Sequence, residues 1–370
     1  MKAKRYSIVL AGGKGTRFWP LSRSQRPKQL LKILGRKSLI SETVSRVLPL
    51  SERERTLVVT VTQQLNASRR ELRALPPRNF IVEPEGKNTA PCIGLAALEV
   101  INRDPEGAMI VLPADHWVAD VAAFRHTLKV AVALADRYDR LVTIGIRPNY
   151  PETGYGYILK GKPLEGKVGG VYQVKRFREK PSVSIARRLI RQGSLWNSGI
   201  FVWKAATLLR LLRRYQPAIA ARLEIIGKAA TGATLGLATP RLRRIIAREY
   251  KRMPALSIDY AVLENAGSEG EVLTLEADFG WSDVGSWAAV HRMLPLDQNG
   301  NGGNGKWLAR GANHCLVHAN DRLVVLLGVR DTMVVDTPDA LLVGDLKRSQ
   351  EVRELVEELK KEGYGAYTIK

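Results

Sequence analysis

Short apolar runs alternate with longer stretches whose apolar residues recur every three to four positions over most of this chain. Tyr6, Ile8, Val9 and Leu10, then residues 57–60, 80–82, 108–112 and 141–145, read as buried strands, while residues 63–75, 90–102 and 124–138 read as helices. Runs of this kind between helices predict an α/β fold with a parallel sheet covered on both faces. In such sheets ligands bind beyond the carboxyl ends of the strands. A further strand is expected at 171–177, and another at 200–203 after a turn. The polar run DQNGNGGNG at 297–305 reads as a surface loop or linker. Beyond it, short apolar strands at 315–317, 323–327, 332–335 and 341–343 predict β-helix coils or a small β domain, and residues 350–362 an amphipathic helix. The expected division is 1–296, a linker at 297–305, and 306–370.

Candidate chemistry gathers at the predicted strand ends. Gly12, Gly13 and Gly15 follow the first strand and free backbone N–H groups to form an anion-binding concavity; Arg17 adds a planar charged fork and Lys28 a point charge. The loop matches neither a Walker motif nor a dinucleotide fingerprint, so a different nucleotide fold is indicated. After the third strand come Glu83-Pro84 and Lys87-Asn88-Thr89-Ala90-Pro91. As structure alone, Asn88 or Thr89 caps a helix with Pro91 in its first turn. As chemistry, Glu83 and Asn88 are candidate selectors of a guanine, whose ring N–H and amino group need acceptors that adenine does not need. Asp115 follows the fourth strand, as a turn residue by default, with His116 beside it either orienting substrate or filling the turn. Gly154, Tyr155 and Gly156 suit a bulged strand, Glu179-Lys180 a surface ion pair, Asn197 a turn, and Ser257 a helix cap with Asp259 a further candidate.

Composition narrows the picture little. The 370 residues are 45% hydrophobic and 25% charged, as in ordinary globular proteins. No stretch is long enough to span a bilayer and the N-terminal apolar run is too short for a signal peptide, so a cytoplasmic location is expected, with no membrane partner. Cys92 and Cys315 lie far apart with no Cys/His spacing around them, and read as small buried hydrophobes. The net charge of +22 is what a nucleic-acid binder would carry. However, Arg210, Arg213 and Arg214 share a helix face opposite part of a leucine stripe, and no nucleic-acid-binding motif accompanies them. A solvated basic surface is expected, with no specific nucleic acid.

The string from Leu10 to Arg23, LAGGKGTRFWPLSR, with Pro27-Lys28-Gln29, resembles the signature of sugar-1-phosphate nucleotidyltransferases, and of their mannose-1-phosphate guanylyltransferase branch in particular. EP…KNTAP, ETGYGYI, FREKP, WNSGIF and FGWSDVGSW are similar to that branch too, over roughly residues 4–343. One departure is Phe18, where many members carry leucine. The resemblance implies a Rossmann-like mixed, mostly parallel sheet flanked by helices (the nucleotide-diphospho-sugar transferase fold) with a small C-terminal β-helix-like domain. It implies transfer of GMP from GTP to α-D-mannose 1-phosphate, releasing pyrophosphate. Nucleotide binding falls on Leu10, Ala11, Gly12, Gly13, Gly15, Thr16, Glu83, Asn88 and Thr89, and catalysis on Arg17, Lys28 and Lys180. Sugar binding falls on Gly154, Tyr155, Gly156, Glu179 and Asn197, and Mg2+ on Asp115 and Asp283. A homodimer through the C-terminal part is expected, and no isomerase activity. The alternatives are another base or hexose 1-phosphate, a non-catalytic nucleotide-binding regulatory subunit, and, on charge alone, an RNA-binding protein.

Overall fold

The strand Ala108–Pro113 shows how the main sheet is buried on both faces. Met109 and Val111 enter one apolar cluster while Ala108, Ile110 and Leu112 enter another, so the period-two alternation of one strand feeds two cores. The computed structural model describes residues 4–13, 15–165 and 169–369. The chain folds as two compact units: a larger one of Met1–Gly12, Thr43–Ala114 and Val118–Trp281, and a smaller one of Gly13–Glu42, Asp115–Trp117 and Ser282–Lys370.

In chain order the first ten strands are β1 (Arg5–Ala11), β2 (Thr56–Val61), β3 (Phe80–Glu83), β4 (Ala108–Pro113), the two-residue β5 (Trp117–Val118), β6 (Leu141–Ile146), β7 (Gly156–Pro163), β8 (Val171–Glu179), β9 (Leu195–Lys204) and β10 (Val272–Ala277). Nine of them form one sheet in the order β3-β2-β1-β4-β9-β6-β10-β8-β7. β3, β2, β1 and β4 are parallel, as are β6 and β10, whereas β9 runs antiparallel to both β4 and β6. Helices Thr89–Arg103, Ala205–Tyr215, Pro217–Ala229 and Pro240–Lys251 contribute to one core and Val121–Tyr138 to the other. The expected α/β architecture is therefore present. One local expectation changes: Asn197-Ser198-Gly199 is not a turn before a strand but lies inside β9. A register shift against β6 between Thr143 and Gly145, with Gly199 at φ +70°, absorbs these turn-type residues within the ladder.

The smaller unit is built around a β-helix-like stack. After β11 (Trp281–Ser282) come β12 (Gly302–Asn304), β13 (Trp307–Arg310), β14 (Leu316–His318), β15 (Val324–Leu327), β16 (Thr332–Asp336) and β17 (Leu341–Asp345). β12, β14 and β16 stack in parallel, β13 and β15 form a second parallel ladder, and β17 pairs antiparallel with β16. The glycine–asparagine run expected as a loop supplies β12. Asn301, 1% exposed, makes this work by donating to the Ala312 carbonyl and accepting from the Cys315 N–H, so its polar groups are satisfied inside the unit.

The core of this unit joins the two ends of the chain. Phe18, Trp19, Leu31 and Ile33 share one cluster with Val284, Trp287, Val352 and Val356, the last two from the helix Val352–Lys361. Trp19 Nε1 donates to the Tyr367 carbonyl, and Arg23 holds Asp339 with two hydrogen bonds of 2.8 and 3.1 Å. The thiols of Cys92 and Cys315 are both free and buried. No helix among the described residues is long and apolar enough to cross a membrane.

Candidate functional site

The glycine loop closes on Lys28. Gly15 sits at φ +58°, and a Cβ there would lie 2.4 Å from the Cβ of Lys28, so only glycine permits this approach. The Lys28 side chain is only 8% exposed. Its ammonium lies 2.8 Å from Asp115 Oδ2, donates to the Asp283 carbonyl at 2.6 Å and sits 5.7 Å from the centroid of the Phe18 ring. Phe18 is itself packed edge-on against Trp287, 5.0 Å between centroids. The aromatic ring thus gives the buried cation a favourable face that leucine would not supply.

Asp115 is the partner that Lys28 fixes. Burial pushes its carboxyl up, but the Lys28 ammonium, His116 and the Lys28 hydrogen bond outweigh this and hold it below the usual carboxylate range. Asp283 is presented differently. Val284, fully buried in the Phe18 cluster, adopts φ +50°, which a β-branched residue rarely does. A Cβ on Gly285 would lie 2.7 Å from Asp283 Oδ2, so glycine makes room for the carboxylate. These residues line a pocket of about 440 Å³ that also takes in Thr16, Arg17, His116 and, from the C-terminal helix, Arg353. The site therefore joins six sequence-predicted residues, Gly15, Thr16, Arg17, Lys28, Asp115 and Asp283, with Arg353 and Glu357, which the motifs did not flag.

In the larger unit, the carbonyls of Leu10 and Ala11 accept from the Ala114 N–H and the Thr60 hydroxyl, which ties the start of the loop to the sheet. Glu83 ends β3 and is 4% exposed. Burial raises its carboxyl to about 7, opposed by a hydrogen bond from the Tyr250 hydroxyl to Oε2. Its Oε1 lies 3.0 Å from where a Cβ on Gly12 would be, so the carboxylate reaches the glycine loop. Asn88 caps the helix Thr89–Arg103, its Oδ1 accepting from the Thr89 N–H at 2.9 Å, and does so at φ +66°, ψ −169°. The Thr89 hydroxyl in turn accepts the Ile258 N–H at 2.7 Å.

A second polar cluster of the same unit surrounds Asn197. Its Nδ2 donates to Asp259 Oδ1 at 2.7 Å, and its Oδ1 accepts from Thr143 and from the Gly199 N–H. Asp259 opens a π-helical turn, Asp259–Leu263. Burial, then the nearby charge of Glu179, raises its carboxyl to about 6. A Cβ on Gly156 would lie 2.5 Å from Glu179 Oε2 and 3.4 Å from Asn197 Cβ, which puts Glu179, Asn197 and Asp259 in one group. Lys180, at φ +43°, is 66% exposed and 3.5 Å from Glu179. The ring of Tyr155 packs edge-on against Trp196 and Trp281, and the Gly154 N–H is held by Glu152. Asn88, Lys180 and Val284 are non-glycine residues at positive φ, a conformation that concentrates at functional sites.

Tyr250 and Arg353 escaped the sequence reading. Neither lies in a recognisable motif, and each matters through a neighbour distant in sequence: Glu83 is 167 residues from Tyr250.

A doubly covered α/β sheet and a glycine loop closed on a buried lysine are features found in nucleotide-handling enzymes. Residues 6–299 match the family model described as nucleotidyl transferase, and the chain belongs to that family. Residues 310–359 match the MannoseP isomerase/GMP-like beta-helix domain. Over 97% of its length the chain is 36% identical to the mannose-1-phosphate guanylyltransferase of Klebsiella pneumoniae, covering 75% of that protein. It is 37% identical to the mannose-1-phosphate guanylyltransferase of Escherichia coli K12, over 98% of this chain and 75% of that one. A crystal structure described as mannose-1-phosphate geranyltransferase from Thermus thermophilus superposes with a TM-score of 0.85 at 35% identity, over 97% of this chain and all of the other.

Proposed function

We propose that the protein transfers guanylyl from GTP to α-D-mannose 1-phosphate, giving GDP-mannose and pyrophosphate. The observation that carries the chemistry is the buried Lys28 joined to Asp115 and to the Asp283 carbonyl beneath the glycine loop. The names of the relatives supply the substrates. A phosphate oxygen of the sugar phosphate attacks the α-phosphorus of GTP in line; a new P–O bond forms, the bond to the bridging oxygen breaks, and its electron pair leaves with pyrophosphate. The attacking oxygen is already anionic, so the work of the residues is alignment and charge placement.

Arg17 and the loop N–H groups hold the departing phosphates, and Lys28 orders the acidic side of the pocket. Lys180 meets the sugar phosphate, while Gly154, Tyr155, Gly156, Glu179 and Asn197 shape the hexose site, with Asp259 orienting Asn197. Glu83 Oε1 is the acceptor for the guanine ring, and Asn88 and Thr89 set the helix that borders it. Asp115 and Asp283 suit Mg2+: the lowered carboxyl of Asp115 is ionised, and both side chains line one pocket. Magnesium accepts such a sparse set because phosphates and water complete its shell. When bound it supplies positive charge to the phosphate oxygens.

We further place the enzyme in the cytoplasm as a homodimer through the C-terminal part. Leu308 and its register partner Val325, with Leu327 and Val343, are each more than half exposed there, an apolar surface that a second copy would cover. The decisive experiment is a pyrophosphate-release panel crossing four nucleoside triphosphates with several hexose 1-phosphates. GTP with mannose 1-phosphate should dominate by orders of magnitude, because a site that leaves polar groups unpaired rejects the wrong base strongly. Equal turnover with ATP overturns the base assignment, and equal turnover with glucose 1-phosphate overturns the sugar assignment.

A further inference from the structure

We propose that Arg353, on the C-terminal helix Val352–Lys361, is a phosphate-contacting residue that holds the pyrophosphate end of the nucleotide together with Arg17. The inference rests on the nucleotidyl transfer reading of the pocket, and its starting point is that Lys28 is already engaged. Lys28, the cation that the motif would assign to the phosphates, is buried, and its ammonium is committed to Asp115 and the Asp283 carbonyl. Two arginines line the same pocket, Arg17 and Arg353, and among the described residues neither forms an ion pair with a carboxylate. Glu357, one turn along the helix, also lines the pocket, and it pairs with Lys360 at 2.8 Å.

The position of Arg353 is fixed by packing. Val352 and Val356 are each 3% exposed and sit in the cluster that contains Phe18 and Trp19, directly after Arg17 in the chain. One turn of helix separates the two valines, so they anchor one face and leave the adjoining positions, Arg353 and Glu357, at the pocket. The loop and the tail are also clamped behind this contact: Ser24 N–H donates to the Thr368 carbonyl and Gln25 N–H to the Ile369 carbonyl. The guanidinium therefore stands on a helix anchored in the core of the unit that carries the phosphate loop. A planar fork so placed suits the terminal oxygens of a pyrophosphate group, which offer paired acceptors.

The test uses the whole chain and three variants. Arg353→Gln removes the charge, Arg353→Lys keeps it without the fork, and Arg187→Gln removes one charge from an exposed helix position outside the pocket as a control for the net charge of +22. Inorganic pyrophosphate in the presence of Mg2+ is titrated by calorimetry, and steady-state kinetics are run with GTP and mannose 1-phosphate. In Arg353→Gln, pyrophosphate binding should weaken and the KM for GTP rise by about tenfold or more, as for loss of one charge-assisted contact. The KM for mannose 1-phosphate and the thermal midpoint should hardly move, Arg353→Lys should recover part of the loss, and Arg187→Gln should bind like the parent. Parent-like pyrophosphate binding by Arg353→Gln overturns the proposal. So does an equal loss in Arg187→Gln, or a loss that follows a lowered melting point. Calorimetry needs neither GTP nor sugar, so an Arg353-dependent pyrophosphate site in a protein that turned over no substrate would sink the proposed function and leave this inference standing.

Discussion

The site carboxylates of the two units are treated in opposite ways. In the larger unit, Glu83 and Asp259 are raised to about 7 and about 6 by burial, with Tyr250 and Asn197 as hydrogen-bond donors and, among the described residues, no cation directly bonded to either. In the smaller unit, Asp115 is held below its ordinary value because Lys28 sits 2.8 Å away. Carboxylates that read neutral hydroxyls and N–H groups can sit near the edge of ionisation, whereas one that is to face a metal and phosphates has to stay charged. Under the proposed function, recognition of base and sugar belongs to the larger unit and handling of charge to the smaller one.

The strongest attack on this contrast is to remove the charges of the smaller unit. Asp115→Asn and Asp283→Asn should each lower kcat/KM about a hundredfold, near 3 kcal/mol, as for one electrostatic transition-state contact. If both act through one ion, the double variant should lose much less than the product, and raised Mg2+ should restore part of the rate. Near-parental turnover in either single variant removes the metal assignment.

Next in size is the pH response of the larger unit. With Glu83 raised from 4.5 to about 7, the folded state binds the extra proton between these values. The associated stability is fully present below pH 4.5 and is lost as pH rises through 7; integrated, it amounts to roughly 3 kcal/mol. Glu83→Gln has nothing to titrate, so melts of the parent should fall relative to this variant between pH 5 and 8. Parallel melting curves would deny the raised carboxyl. If the ionised form reads guanine, the parental KM for GTP should improve over the same window.

The smallest expected effect is that of Tyr250→Phe. Removing one buried hydroxyl donor should cost about 1 kcal/mol of stability. It also removes the bond that favours the ionised Glu83, so the pH window should shift upward. An unchanged window, followed by thermal melts across pH, would show that Tyr250 does not govern this carboxyl.

The departures from the sequence reading have a common cause. The alternating apolar runs gave the sheet strands and the coils after residue 305, because strand and helix periods are written locally in the chain. The turn chemistry of Asn197-Ser198-Gly199 misled, since a bulge within β9 uses the same residues as a turn. The glycine–asparagine run misled likewise, because the neighbouring coil gives Asn301 the partners that make β12 possible.

The order of residues alone was enough to specify many of the elements, their α/β alternation, the glycine loop and the motifs at the strand ends, though not β10 or the helices Leu39–Ser51 and Val183–Arg191. Each depends on residues close together in the chain. It took folding to commit Lys28 to Asp115, 87 residues away, to set Tyr250 on Glu83 across 167, and to pair Asp259 with Asn197 across 62. Folding also gave Val352 and Val356 a shared core with Phe18, and so brought Arg353 to the pocket that Arg17 and Lys28 line. A side chain's partner, its burial and therefore its charge state are set by which elements become neighbours, and local periodicity does not encode that.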